Sequence, residues 1–306
     1  MVAFNNLGLW LAVLAATSQV GFAAPTVHDA AQATPACTRA QLLEAADAYV
    51  AAQTAGKLEP LKELLGANWT YQENNKVTDA SKGVLAKALK IDHRRTTVDT
   101  TVCATYTELI SAGASSPYVV GTQIRHSTGD LKISLIDSVA STTNSWLFDA
   151  KKTLQYVQGE KWDPIPEAKY DSRAAIQAAG DAYLDMWSNA TAADAVPWGT
   201  PCVRLEGSAY TGTGKPTDSC KPGIPSNHSQ APNINRRYVI DESAGSVSIL
   251  LLWQHMMNAA DSHEFRLEGG KLRYVHTMTV CPGGAVYTSR SPLTVVKKHE
   301  VVIIQL

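Results

Sequence analysis

The sequence has little charge. Of its 306 residues 27 are basic and 28 acidic. Charged residues make up 18% of the chain, against about 25% in a typical soluble domain. The net charge of −1 gives no electrostatic pull toward nucleic acid or an anionic membrane surface, so neither is an expected partner. Disorder is excluded as well, because 45% of the residues are hydrophobic and a disordered chain needs few apolar residues and a large net charge. No apolar run reaches the roughly 20 residues of a membrane span. There is no G-x-S-x-G, H-E-x-x-H, P-loop or C-x-x-C, and no G-x-G-x-x-G after a strand. Those absences remove the usual signatures of hydrolases, zinc proteases, nucleotide binders and redox dithiols. No cofactor and no metal is expected. Phenylalanine is scarce, with 4 residues, while Trp and Tyr number 7 and 11. Tyr and Trp join a flat apolar surface to a polar tip, which suits ligand cavities as well as cores.

What is present points first to compartment. Residues 7–16 are apolar, and no charged side chain precedes Asp29. The run is too short to span a bilayer and fits the apolar region of a signal peptide. Gly21 and Ala23 put small residues at −3 and −1, so the signal peptide is 1–23, followed by a disordered leader over 24–36. The absence of Lys or Arg before the run departs from the usual pattern. The protein is therefore expected to be secreted and extracellular. In that setting Asn68, Asn189 and Asn227, each in an N-x-S/T sequon, are expected glycosylation sites. An oxidising compartment also favours disulfides. Cys202 and Cys220 flank a Gly/Pro/Thr loop and are the first expected pair, and Cys37 with Cys103 is the second. The odd count leaves Cys281 over.

The chain repeats itself. Arg94-Arg95-Thr96-Thr97-Val98-Asp99 matches Arg236-Arg237-Tyr238-Val239-Ile240-Asp241, and Asp47-Ala48-Tyr49 matches Asp181-Ala182-Tyr183. A third match sets Leu154-Gln155-Tyr156-Val157 against Leu272-Arg273-Tyr274-Val275. The order is the same in both halves. Thr38 and Gln41 form a capping box ahead of Leu42, Ala46, Tyr49 and Val50 at helical spacing. Asp171 or Ser172 caps the corresponding helix with Ile176, Ala179, Tyr183 and Trp187. Pro164 and Pro166 mark a linker. Alternating strands follow each helix, with a hairpin turn at Gly269-Gly270. The expected fold class is α+β, with two tandem cone-shaped repeats, each having N-terminal helices packed on a curved antiparallel sheet. The first repeat covers 37–160, the linker 161–171, the second repeat 172–281, and a divergent tail 282–306. That tail is either an extra edge strand or a gene-model boundary.

This organisation resembles the nuclear transport factor 2-like fold, in particular its SnoaL-like branch. The residues that carry the likeness are Asp47-Ala48-Tyr49, the terminal hairpin Phe148…Leu154-Gln155-Tyr156 and their second-half counterparts. The whole sequence also resembles a family of fungal secreted proteins of unknown function, through Arg236-Arg237-Tyr238-Val239-Ile240-Asp241 and Glu264-Phe265-Arg266-Leu267-Glu268. The resemblance implies a pocket and leaves the reaction open.

Polar residues present in only one half and aimed inward are the functional candidates. A two-residue turn at Gly269-Gly270 sets His263 opposite His276 on a face with Leu272, Tyr274, Met278 and Val280. Two imidazoles there suit acid–base work, and spacing fixes no third metal ligand. Asp137 lies on the otherwise apolar face of Leu131, Ile133, Leu135 and Val139, where a carboxylate must pair, protonate or meet water. His263, His276 and Asp137 are the candidate catalytic residues. Tyr274, Trp253, Tyr71 and Arg236 are the candidate ligand contacts, with the planar guanidinium of Arg236 suited to carboxylates. Arg94, Arg95 and Asp99, shared with Arg236, Arg237 and Asp241, suit a structural role better. The expected function is a secreted small-molecule-pocket protein: a cofactor-free isomerase, dehydratase or cyclase, or alternatively a non-catalytic ligand-binding or host-interaction protein.

Overall fold

The computed structural model describes residues 37–113 and 115–282, and the backbone alone of 286–287, 294–297 and 300–303. The expected signal peptide and leader lie outside the described residues. The helices are α1 (Arg39–Ala55), α2 (Ala150–Val157), α3 (Arg173–Asp185) and α4 (Ala190–Ala195). Each long helix starts where a side chain meets its open amide groups. The Thr38 hydroxyl accepts from the Gln41 amide while the Gln41 side chain accepts from Thr38 N–H. Ser172 accepts from the Ala175 amide in the same way. Gly56 stops α1 with φ at 63°. A Cβ there would lie 2.4 Å from the Ala88 nitrogen, so only glycine fits the turn.

Strands β1 (Leu65–Glu73), β2 (Lys76–Val77), β3 (His93–Asp99), β4 (Ala104–Ser111), β5 (Tyr118–His126) and β6 (Ile133–Thr142) form one sheet, in the order β2-β1-β6-β5-β4-β3. Strands β7 (Trp198–Glu206), β8 (Ala209–Tyr210), β9 (Asn233–Asp241), β10 (Ser246–Trp253), β11 (Ala259–Glu268) and β12 (Lys271–Val280) form a second, in the order β8-β7-β12-β11-β10-β9. The second order is the first with every strand advanced by six. β1 runs parallel to β6, and β7 parallel to β12. The tail forms a separate antiparallel sheet of β13 (Val286–Tyr287), β14 (Thr294–Lys297) and β15 (Glu300–Ile303), rather than an added edge strand. No helix among the described residues is long and apolar enough to cross a membrane.

Three of the four hydrophobic clusters among the described residues layer this arrangement. Ala45, Tyr49 and Ala52 of α1 pack on Val120, Ile124 and Ile136 of the first sheet. Ile176, Ala179 and Tyr183 of α3 pack on Val247, Ile249 and Phe265 of the second. Between the sheets, Tyr106, Val119 and Val139 meet Val239, Leu250 and Met278. The layer order is helix, sheet, sheet, helix.

The expected cones are not formed. Helices are few, each sheet is mixed rather than antiparallel, and the two sheets cover one another. β4 is consequently buried at every position. The alternation of side chains along a strand reports which face is buried. It does not report the direction of the partner strand, so the parallel pairings had no local signal. The expected terminal hairpin at 148–156 is also corrected. Asp149 accepts from the Lys151 and Lys152 amides and starts α2 there. The match of Leu154–Val157 with Leu272–Val275 therefore pairs a helix with a strand and falls.

The other two repeated motifs have a structural cause. The first arginine of each Arg-Arg pair reaches its own helix: Arg94 binds Asp47, and Arg236 binds Asp181 at 2.8 Å. The second points the other way, since strand neighbours alternate, and crosses to the opposite sheet. The aspartates that end the motifs are exchanged between halves. Asp99 takes both N–H groups of the Arg173 guanidinium, at 2.8 and 2.7 Å, and the Ile240 amide. Asp241 takes Arg39, at 3.1 and 2.9 Å, and the Val98 amide. Both carboxylates are buried. These reciprocal bidentate bonds join each helix start to the other half of the chain.

Candidate functional site

The second hairpin starts as its turn predicts, with Glu268 opposite Lys271 and Leu267 opposite Leu272. A β-bulge then inserts Arg273, so that Arg266 pairs with Tyr274 and Glu264 with His276. The extra residue flips every later side chain of β12 to the other face. His263 therefore faces Thr277 rather than His276, and the two histidines lie on opposite faces of the sheet. The expected pair is dissolved by that one residue.

His263 faces α3. Its Nδ1 meets Asp261 Oδ1, and Asp261 Oδ2 accepts from Thr279 at 2.6 Å. Tyr183, Trp253 and Phe265 enclose the ring at 5.4–5.7 Å between centroids. Only 1% of the residue is exposed, so it is packed in the core.

His276 faces the other sheet and sits in a cluster of charges between the halves. Its Nε2 lies 2.6 Å from Glu160 Oε2, and its Nδ1 lies 3.3 Å from Glu108 Oε2. Burial alone lowers its pKa, but the carboxylates of Glu160 and Glu108 reverse this and raise it to about 10. The imidazolium then donates from both nitrogens. Burial pushes Glu108 up, and the cations Arg95 and His276 bring it well below the usual carboxylate range. Arg95 Nη2 binds both Glu108 and Glu264, and Glu264 also accepts from Ser246 at 3.0 Å. One oxygen each of Glu108 and Glu264 and one nitrogen of His276 lie within 4.8 Å of one another. Such a trio resembles a metal site, but the Arg95 guanidinium already supplies the positive charge there. Trp162, from the linker, covers the cluster. Its ring lies 3.6 Å from Arg95 Cζ, and its indole N–H donates to Glu160 at 2.8 Å.

Asp137 occupies the position in the first sheet that corresponds to His276. It accepts from Arg237 of the other half and, at 3.0 Å, from Gln72, so the expected carboxylate on an apolar face is paired. Arg237 also donates to Asn75 Oδ1 at 2.6 Å. Trp253 is a core residue that donates to Gln230 at 2.9 Å, and Tyr71 is a core residue that donates to Glu73 at 2.6 Å. Arg236 is bound to Asp181 and Asp185. The charged cluster was missed because its members come from β3, β4, β11, β12 and the linker. The one local signal was an acid within each of two strands, Glu108 in β4 and Glu264 in β11.

Among the candidate ligand contacts, Tyr274 borders a cavity. It lines a groove of about 360 Å³ with Glu160, Tyr210, Lys215, Asp218 and Arg273. The walls are held firmly. Tyr210 stacks on Tyr156 with centroids 4.3 Å apart. Asp218 accepts from the Thr213, Gly214 and Lys215 amides, which shapes the loop forming one wall. The Cys202–Cys220 disulfide closes that loop, and Cys37–Cys103 ties the start of α1 to the end of β3 and the start of β4. These are the two pairings expected from the sequence, while Cys281 is outside both. Replacing Cys202 and Cys220 by serine is expected to destabilise the chain by about 3 kcal/mol through loop-closure entropy. Urea melts would check this, and an unchanged midpoint would contradict it.

A family model of a domain of unknown function, DUF8021, matches residues 169–279. No curated protein is significantly similar to the chain in sequence. Similar solved structures include a DUF4783 family protein from Bacteroides fragilis YCH46, at 16% identity and a TM-score of 0.23, covering 30% of this chain and 94% of that one. Another, from Bacteroides ovatus ATCC 8483, has 12% identity and a TM-score of 0.22, covering 31% of this chain and 94% of that one. The nuclear transport factor 2-like and fungal secreted families expected from the sequence do not appear among these likenesses. What the second half is similar to is the DUF8021 domain.

Proposed function

We propose that the protein is a ligand-binding protein rather than an enzyme, and that its ligand site is the groove beside Tyr210 and Tyr274. One observation carries this reading. The three residues best suited to acid–base catalysis, His263, His276 and Asp137, are buried and each is committed to a protein partner. A general acid or base must reach its substrate, and none of the three lines the groove. The groove instead offers aromatic rings with polar tips and charged side chains in a rigid frame, as small-molecule sites do. The reading includes an extracellular setting, supported by the two disulfides and by the exposure of Asn68, Asn189 and Asn227.

Native mass spectrometry of the protein secreted from a eukaryotic host, before and after removal of N-glycans, tests the reading. The expected result is a mass loss on glycan removal and a non-covalent small-molecule adduct that Tyr274→Ala removes. An unglycosylated chain retained in the cell would contradict the extracellular setting. An adduct that survives Tyr274→Ala would contradict the groove.

A further inference from the structure

We infer that the groove selects a small ligand bearing a carboxylate, with Arg273 as its main contact and Lys215 as the second cation. This rests on the reading of the groove as the ligand site.

The groove carries unmatched positive charge. Two acids and two bases line the groove, but they are not equally free. The charge of Glu160 is matched by His276, which with Trp162 bonds its Oε2, while its Oε1 is buried without a hydrogen-bond partner. Asp218 is taken up by the three backbone amides of its loop and by the Thr213 hydroxyl. Arg273 and Lys215, by contrast, have no carboxylate partner among the described residues. The Nη1 of Arg273 is buried with no hydrogen-bond partner. A buried donor without an acceptor costs free energy that a ligand oxygen would recover.

Geometry supports the same class. Arg273 is the bulge residue of β12, and the bulge aims it out of the strand ladder toward the groove. Its guanidinium lies over the Tyr274 ring, 4.2 Å from the centroid. Tyr274 in turn stacks on Trp162 at 5.3 Å, and Trp162 carries Arg95 on its ring. A guanidinium placed over a ring face is positioned by that contact, and its N–H groups fit the two oxygens of a carboxylate. The first sheet has the same bulge, between Arg125 and His126, and Ser134 takes the extra position there. Its hydroxyl donates to the Arg125 carbonyl. The arginine is thus an addition made in one half on a backbone feature common to both.

The test is an amide-shift NMR titration of the full chain with three probes that share one ring: benzoate, benzamide and benzylamine. Benzoate is expected to give saturable shifts at Gly159, Gly212, Gly214 and Arg273, and to bind at least 10-fold more tightly than the other two. Arg273→Gln should weaken benzoate by about 10-fold, and Lys215→Gln by less. Both side chains are outside the core, and a melting curve checks that each variant folds. Equal binding of benzamide at the same amides overturns the carboxylate assignment and leaves the groove intact as a ligand site. Benzylamine binding best does the same. No shift at the groove with any probe overturns both. Benzoate shifts unaffected by Arg273→Gln overturn the role given to that residue.

Discussion

Arg95→Ala is expected to lower the stability of the protein by about 3–5 kcal/mol, the usual cost of removing one partner from a buried ion pair. The substitution leaves Glu108 and Glu264 buried, with His276 as the one cation among the described residues still bonded to Glu108. It also takes the guanidinium off the Trp162 ring. For a chain of this size the melting temperature should fall by on the order of 10 °C. Added salt should restore little of it, since the guanidinium side chain is only 12% exposed and buried pairs are screened weakly. Replacing the acids together with the base, as Arg95→Met with Glu108→Gln and Glu264→Gln, should cost less than Arg95→Met alone. The penalty comes from stranded charge rather than from a lost attraction. Urea melts of the four proteins check this. A single variant within 1 kcal/mol of wild type, on the order of a surface substitution, would show that the cluster does not hold the sheets.

His276→Gln is expected to remove a pH dependence. The imidazole titrates at 6.5 when free and at about 10 in the fold, so the folded protein holds a proton that the unfolded chain gives up. Its stabilising effect is full below about pH 6.5 and fades as pH rises through about 10. Glu108 has the opposite sign. Its pKa is depressed in the fold, so its contribution is present above about 4.5 and fades as acid protonates it. The groups facing the imidazole are Glu108, Glu160 and Arg95, with Trp162 against its edge. Wild type should lose stability between pH 7 and 10, and His276→Gln should be less stable at pH 6 and much flatter over that range. Chemical melts at pH 6 and pH 9.5 separate the two outcomes. Parallel curves for both proteins would mean that His276 is neutral in the fold.

Much of this architecture was visible in local sequence. The capping residues Thr38 and Ser172 start the helices where side-chain chemistry demands it. The repeated Arg-Arg and Asp motifs mark pairs that the two halves exchange, because identical geometry needs identical charges on both sides. The cysteines that flank a Gly/Pro loop close it. What stayed hidden depends on residues far apart in the chain. The parallel partner of β1 is β6, which follows four intervening sheet strands, and nothing within β1 encodes that direction. The burial of Glu108 and Glu264 follows from the stacking of the two sheets, which no single strand shows. The bulge at Arg273 is one residue long, yet it reverses the face of His276 and sends the histidines into different layers. A turn at Gly269-Gly270 predicts register only as far as the next irregularity. The same residue that spoiled the histidine pair lines the groove, so the miss and the new site share one cause.

The charged residues between the sheets bind two similar halves into one cooperative unit. Differential scanning calorimetry of the full chain at pH 6 tests it most directly. The account predicts a single transition whose calorimetric and van't Hoff enthalpies agree, moved to lower temperature but still single in Arg95→Ala. Two resolved transitions in the wild-type protein, one for each sheet and its helix, would contradict it.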